Sequence, residues 1–126
     1  MVMLDLDVGD AQEPTTLEAD SEVKLRIVSG KLSQNKDYLV PRFEIVDEPL
    51  AKELTHPVQL PSDEMDAKTL NRVKWNMKEF LDTFGLPTLF NPVDDLPGAE
   101  GWAILGHRED DTYGEQNTIK KFLPPK

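Results

Sequence analysis

One segment of this chain has the periodicity of an amphipathic α-helix, and it stands between segments that alternate like β-strands. From about Asp66 to Phe84 the apolar side chains form a single stripe: Leu70, Val73, Met77, Phe80, Leu81 and Phe84. Gly85 is placed to end the helix in a left-handed conformation, and Pro87 follows it. A single helix with strands on both sides argues against a helical bundle and favours a mainly β domain.

Three alternating segments precede the helix and two follow it, at residues 22–29, 38–46, 56–60, 101–108 and 116–123. Pro41 predicts an edge position or a bulge in the second segment, because proline cannot donate to a ladder. The order β-β-β-α-β-β is that of a five-stranded OB-fold, a Greek-key barrel with its helix between strands three and four. The sequence therefore predicts an OB-fold barrel. A ubiquitin-like roll, the alternative, usually places its helix after two strands.

Negative charge is concentrated at the start of the chain. The 126 residues carry a formal charge of -10, and residues 1–22 hold seven of the 24 acidic residues and none of the 14 Lys and Arg. We therefore divide the chain into an acidic N-terminal arm, residues 1–16, and a single OB-fold domain, residues 17–126. Leu4, Leu6 and Val8 alternate with acidic residues like a short edge strand, although a solvated leader is the preferred interpretation. The rest of the chain is close to charge balance, which leaves room for a basic patch.

The residue types that most catalytic and metal sites require are scarce. Without cysteine, the chain has no disulfide, thiolate nucleophile or cysteine-based zinc site. The two histidines, His56 and His107, do not stand at a metal-ligand spacing, and no phosphate-binding glycine loop or nucleophile elbow occurs. We therefore expect a protein that is not an enzyme and that holds no metal and no cofactor.

Nothing in the sequence predicts membrane attachment or export. No apolar run approaches the ~18 residues that a membrane-spanning helix needs, and no Lys or Arg precedes Lys24. The start of the chain therefore lacks the pattern of a secretory signal or a basic transit peptide. We expect no contact with a membrane and a cytoplasmic location.

Cationic and aromatic side chains fall where an OB barrel binds its ligands, on strands two and three and on the loops that join strands 1-2 and 4-5. Single-stranded nucleic acid needs cations for its phosphates and flat rings for its bases, with about 1–3 kcal/mol for each stacked base. The candidates are Lys24, Arg26, Lys31, Lys36, Tyr38, Arg42, His107, Arg108, Tyr113, Lys120 and Lys121. Strand alternation places Tyr38 and Phe43 on opposite sides, and we assign Phe43 to the core. For the lysines, a plain solvated surface is the alternative.

The two tryptophans are interpreted separately. Trp102 lies in a predicted strand with Ile104 and is assigned to the core rather than to a stacking surface. Trp75 lies about 140° from Leu70 on a helical wheel, on the side away from the apolar stripe. We interpret Trp75 as part of a partner-binding surface, or as a site that the N-terminal arm covers.

Four stretches of the sequence resemble a family of small phage-encoded proteins that bind single-stranded DNA or are uncharacterised. They read MLDLDVGDAQE, VKLRIVSGKLSQNKDYLVPRFEIVDE, MKEFLDTFGLP and YGEQNTIKKFLP. The resemblance implies an OB-fold and a role in phage DNA replication or recombination in the cytoplasm of the host cell. It also implies functional positions at Arg26, at the Tyr113-Gly114 turn, and at Asn117, Lys120 and Lys121.

Two functions compete at this point. We expect non-catalytic, sequence-tolerant binding of single-stranded DNA, and we leave open a homodimer and contacts with replication or recombination proteins. The alternative is an acidic protein-binding module or DNA mimic that engages a host or phage protein, with Trp75 as a contact. A contiguous basic surface would favour the first function and a contiguous acidic surface the second.

Overall fold

A computed structural model describes residues 2–125 and contains six strands and two helices. They are β1 (Glu22–Leu32), β2 (Tyr38–Ile45), β3 (Leu54–Thr55), β4 (Val58–Gln59), α1 (Ala67–Phe84), α2 (Pro92–Asp95), β5 (Glu100–Asp110) and β6 (Gly114–Phe122). The strands form one antiparallel sheet in the order β3-β2-β1-β5-β6, with β4 also paired to β2. The predicted mainly β structure with one main helix is confirmed. The sheet is open, so its strand pairing does not confirm a closed barrel.

The third predicted strand is divided into two pieces beside Pro41. β2 pairs with β3 through Arg42 and Phe43, and with β4 through Tyr38 and Leu39. The Pro41 carbonyl accepts a hydrogen bond from the His56 N–H at 3.4 Å. Because the nitrogen and carbonyl of one strand residue point to the same side, the proline nitrogen faces the break between β3 and β4. β2 is therefore not an edge strand. The ladder is disturbed on both sides of Pro41, by the gap between β3 and β4 and by a bulge at Val28 of β1 opposite Arg42 and Phe43.

Helix α1 begins and ends where its capping residues predict. The Asp66 carboxylate accepts a hydrogen bond from the Thr69 N–H at 2.8 Å, and this bond lowers the pKa of Asp66. Gly85 ends the helix with a φ of 65°. The predicted stripe packs on the sheet through Val73, Met77, Phe80, Leu81 and Phe84, which are all buried. No helix among residues 2–125 is long and apolar enough to span a membrane.

The core lies between α1 and one face of the sheet. Phe43 is fully buried, as predicted, and its ring centroid lies 5.5 Å from that of Phe84 and 6.3 Å from that of Phe122. The assignment of Trp102 to the core is wrong. The inward-facing residues of β5 are Gly101, Ala103 and Leu105, so Trp102 is half-buried on the opposite face.

The segment that joins α1 to β5 contains the short helix α2. Asn91 caps it by accepting hydrogen bonds from the N–H groups of Val93 and Asp94. The helix directs Leu96 onto β1, where it is fully buried. A Cβ atom at Gly30 would lie 2.6 Å from the Pro92 carbonyl oxygen and would also meet Leu96, so this close approach requires glycine.

The N-terminal segment joins the domain at Thr15. Its N–H donates to the Leu50 carbonyl and its carbonyl accepts from the Lys52 N–H, both at 2.8 Å. Before Thr15, the hydrogen bonds of the described residues are local ones within residues 7–11. The edge strand suggested by the alternation at Leu4 to Val8 is not formed.

Candidate nucleic-acid interface

The two edges of the open sheet border a groove, which we call the seam. β3 and β4 lie on one side of it and β6 on the other. Two cavities of about 380 Å³ and 400 Å³ lie along the seam, the first beside α1 and the second beside β3. His56 and Pro57 border both cavities, so the two are parts of one elongated groove.

Six of the twelve candidate residues border the seam: Tyr38, Arg42, Arg108, Asn117, Lys120 and Lys121. The Arg42 guanidinium lies 3.8 Å from the Glu53 carboxylate. The side-chain hydrogen bond of Arg108 is a long one of 3.5 Å to Gln116 Oε1. Tyr38 is 39% exposed at the end of the groove near the β1–β2 turn. The seam thus combines cations with an accessible aromatic ring.

Lys120 and Lys121 are both exposed because β6 bulges at this point. Ile104 pairs with Lys121 and Leu105 pairs with Ile119, so Lys120 is an extra residue in β6. Regular alternation would turn one of the two lysines inward. Lys120 Nζ lies 2.6 Å from Asp20 Oδ1, whereas Lys121 is in no ion pair with any residue between 2 and 125. The bulge therefore adds a second lysine to the seam.

The seam also contains two carboxylates and a neutral histidine. Glu53 and Glu79 border the cavities together with the four cations. Burial lowers the pKa of His56 below its ordinary value, because a desolvated imidazole disfavours its charged form. At neutral pH, His56 therefore adds a flat ring but no charge. Sequence reasoning weighed His56 only as a metal ligand and missed this position.

Lys24 and Arg26 lie away from the seam, on the exposed face of β1. β1 is the central strand, so paired strands separate both residues from each edge. The Arg26 guanidinium lies 2.7 Å from Glu100 and 2.8 Å from Glu44, and Lys24 lies 3.3 Å from Glu100. These bonds lower the pKa of Glu100 and raise that of Arg26. The structure therefore places both cations in ion pairs outside the groove.

Lys31, Lys36 and Tyr113 lie at the two ends of the seam. The lysines are exposed at the β1–β2 turn, next to Tyr38, and neither is in an ion pair with another described residue. Tyr113 is exposed at the β5–β6 turn. Lys52, which was not a candidate, fixes this turn by donating to the carbonyls of Tyr113 and Glu115 at 3.3 Å and 2.8 Å.

Asn117 and His107 hold the N-terminal segment across one mouth of the seam. Asn117 is 6% exposed. Its Oδ1 accepts from the Leu17 N–H at 2.8 Å, and its Nδ2 donates to the carbonyls of Leu17 and Gly106 at 2.8 Å and 3.0 Å. His107 Nε2 lies 3.2 Å from Thr16 Oγ1. With Thr15 bonded beside β3, residues 15–17 cross from one edge of the sheet to the other.

Replacing Asn117 by alanine should destabilise the domain. The substitution removes three hydrogen bonds and leaves the Leu17 N–H and the Gly106 carbonyl without their partner. We expect the free energy of unfolding in urea to fall by about 1–3 kcal/mol. The matched control is Gln116→Ala on the same strand, which should change this free energy by less than about 0.5 kcal/mol. Equal losses in the two variants would contradict the structural role of the amide.

Neither metal-ligand clusters among the described residues nor similarity to known proteins assigns a function to the seam. Within residues 2–125, no three carboxylate or histidine side chains converge as ligands for a metal ion. A scan against protein-family models finds no match, and a search of curated proteins finds no significant one. What the seam can do chemically therefore depends on its own groups, which are cations for phosphates and rings for bases.

Proposed function

We propose that this protein binds single-stranded DNA along the seam, without catalysis and without sequence preference. The observation that carries the proposal is the groove between β3–β4 and β6, where Arg42, Arg108, Lys120 and Lys121 come together with Tyr38. Guanidinium and ammonium groups neutralise phosphates, and tyrosine rings stack on bases. Single-stranded DNA exposes its phosphates and the faces of its bases together, whereas a duplex hides the faces of its bases.

The order of the strands supports a partly open OB-fold. If β3 and β4 together count as the third strand, the order across the sheet is 3-2-1-4-5, and strands three and five border the groove. OB-folds bind oligonucleotides on strands two and three, between the loops that join strands 1-2 and 4-5. The seam borders strand three, and Tyr38 and Arg42 of strand two line it, which supports a similar binding position. Lys36 lies in the first of these loops and Tyr113 in the second.

In this function each group of the seam has one task. Arg42, Arg108 and Lys121 contact phosphates, and Lys120 does so when it leaves Asp20. Tyr38 and Tyr113 stack on bases near the two ends of the groove. The resemblance of the sequence to phage proteins supports a role in phage DNA replication or recombination in the host cytoplasm.

A fluorescence-anisotropy titration with an oligo-dT of ~30 nucleotides, about two OB-fold sites long, tests the proposal. We expect micromolar or tighter binding at low salt. Three or four phosphate contacts should make the logarithm of the binding constant fall with that of salt concentration with a slope of about -2 to -3. A duplex of the same length is the control and should bind more weakly, and a mixed-sequence single strand should bind like oligo-dT. Absence of binding at low salt would overturn the proposed function.

One observation favours a second function, that of an acidic protein-binding module or DNA mimic engaging a host or phage protein. Negative charge and exposed apolar side chains occur together in the N-terminal arm, where Val2, Leu4 and Leu6 are all exposed. A DNA mimic competes with DNA for a protein instead of binding DNA itself. The oligo-dT titration therefore separates the two functions, because only the first requires direct binding.

A further inference from the structure

The outward side of α1 combines an apolar surface with positive charge. Trp75 is 58% exposed and borders a cavity of about 280 Å³. Lys78 Nζ lies 5.7 Å from the centroid of its ring. We use the name Trp75 surface for the residues that border this cavity: Trp75, Lys78, Glu79, Asp82, Lys121, Phe122, Pro124 and Pro125. Its two carboxylates balance its two lysines, so the surface itself is mainly apolar in character and the unbalanced positive charge lies on the preceding turns of α1. An exposed indole beside two prolines is a typical anchor for a protein segment.

The first two-thirds of α1 carry cations and no carboxylate. Between residues 67 and 78 the charged residues are Lys68, Arg72, Lys74 and Lys78. Among the described residues, Lys78 forms a salt bridge with Asp82, and the other three form none. The N-terminal end of a helix favours negative charge, so Lys68 in the first turn does not stabilise the helix. The positive charge is therefore available to an acidic ligand.

The N-terminal arm has the complementary pattern. Val2, Met3, Leu4, Leu6 and Val8 are 69% to 87% exposed. Asp5 and Asp7 lie between them and form no salt bridge with a described residue. No hydrogen bond joins residues 2–14 to the rest of the described chain. A run of apolar side chains this exposed marks a segment that binds a partner surface.

We propose that residues 2–8 of one copy dock on the Trp75 surface of a second copy. Leu4 and Leu6 cover the Trp75 ring and the two prolines, and Asp5 and Asp7 face the lysines and the arginine of α1. Charge complementarity between the arm and α1, and the unpartnered apolar residues on both sides, favour this occupant. It does not depend on whether the seam binds DNA.

The position of the arm favours a second copy over the same chain. Thr16 holds the arm beside Glu115, at one end of β6, whereas the Trp75 surface lies beside Phe122 at the other end. The seven steps from Glu115 to Phe122 cover ~23 Å along the strand. The flexible linker from Val8 to Thr15, seven residue-to-residue steps long, averages only ~15 Å. Docking within one chain would therefore require an almost fully extended linker laid along the seam.

Docking of this kind joins unlike surfaces, so the contact is heterologous. Each copy offers one arm and one Trp75 surface, and a heterologous contact makes open chains or closed rings of copies. We therefore expect association that increases with concentration and weakens with salt.

Sedimentation velocity over a series of concentrations tests the proposal on the full chain. The weight-average mass of the wild type should rise with concentration, whereas Trp75→Ala and the Leu4→Ser, Leu6→Ser double variant should stay monomeric. Circular dichroism checks that both variants are folded, as expected for exposed positions. Leu89→Ser is the matched control, because Leu89 is an exposed leucine outside both surfaces, and it should associate like the wild type.

Mixing the two defective variants gives the sharper test. Trp75→Ala retains an intact arm and the double variant retains an intact Trp75 surface, so the mixture should form a heterodimer of twice the monomer mass. Larger species should be absent, because neither variant can extend the chain. A mixture that stays monomeric would overturn the proposal.

The remaining outcomes also decide which segment or protein occupies the Trp75 surface. A monomeric wild type whose Trp75 fluorescence changes when the arm is altered would overturn the second copy in favour of the arm of the same chain. A monomeric wild type without that change would leave the surface to a different protein. Oligo-dT binding measured on the same variants separates this proposal from that of DNA binding by the seam. The Leu4→Ser, Leu6→Ser variant should still bind oligo-dT whether or not the copies associate.

Discussion

The Arg108→Ala, Lys121→Ala double variant is expected to bind oligo-dT about 50-fold more weakly than the wild type at ~50 mM salt. Each cation that leaves a phosphate removes about 0.7 from the salt slope of single-strand binding. Ion release contributes little at ~1 M salt, which is ~1.3 decades above ~50 mM. Over that range, the loss of two phosphate contacts lowers the binding constant at ~50 mM by almost two decades. Neither residue is in an ion pair with a described residue, so the substitutions break no ion pair within the described part of the protein.

The matched control is the Lys24→Ala, Arg26→Ala double variant, which removes the same charge from the exposed face of β1, outside both the seam and the cations of α1. The salt slope should fall by about 1.4 in the first variant and stay nearly unchanged in the control. Lys24 was a candidate from the sequence, so the control also tests whether the exposed face of β1 binds DNA. Equal losses in both pairs would mean that DNA does not prefer the seam.

Phe43→Ala should lower the free energy of unfolding by about 3–5 kcal/mol, a large part of the stability of a domain of this size. Phe43 is fully buried and lies among the rings of Phe84 and Phe122. The variant leaves a cavity where β2 meets α1, because the surrounding side chains can move in only partly. Urea unfolding followed by circular dichroism measures the change, with the midpoint falling and the slope preserved.

Two further substitutions make this test specific. Phe43→Leu keeps most of the buried volume and should lose less than about 1.5 kcal/mol. Tyr38→Ala changes an aromatic residue on the opposite face of the same strand. It should change stability little and weaken oligo-dT binding by about 1–3 kcal/mol, the contribution of one stacked base. If Tyr38→Ala destabilised the domain as much as Phe43→Ala, the assignment of the two faces would be wrong.

The helix could be predicted because its signals are local. The apolar stripe and Gly85 determine α1, and the helical wheel predicts that Trp75 is exposed, which the structure confirms. Trp102 could not be placed in this way. A Cβ atom at Gly101 would lie 2.6 Å from the Thr83 carbonyl, so the helix leaves room only for small residues at that point of β5. The large side chain faces outward because the space inside is already occupied.

The candidate site could be predicted only in part, because the environment of a charged residue depends on strand register. Arg26 meets Glu100, which is 74 positions away in the sequence, through the pairing of β1 with β5. No local pattern reveals that pairing. None shows that Arg26 lies in ion pairs outside the seam whereas Arg42 borders it. The bulge that exposes Lys120 likewise depends on a shift in the pairing of β5 with β6. Alternation within β6 did place Gln116 and Thr118 on one face, a signal that could have located the edge of the seam.

The central position of β1 has a consequence for how the chain folds during its synthesis. β2 follows β1 after a short turn, but β5, the neighbour on the other side, begins only at Glu100. At ~5–20 residues per second, several seconds pass before the ribosome delivers β5. During that time one edge of β1 has no partner, and an unpaired edge invites pairing with other nascent chains. Glu44 of β2 already pairs with Arg26, so Lys24 is the positive charge on that strand that opposes such pairing until Glu100 arrives and pairs with it.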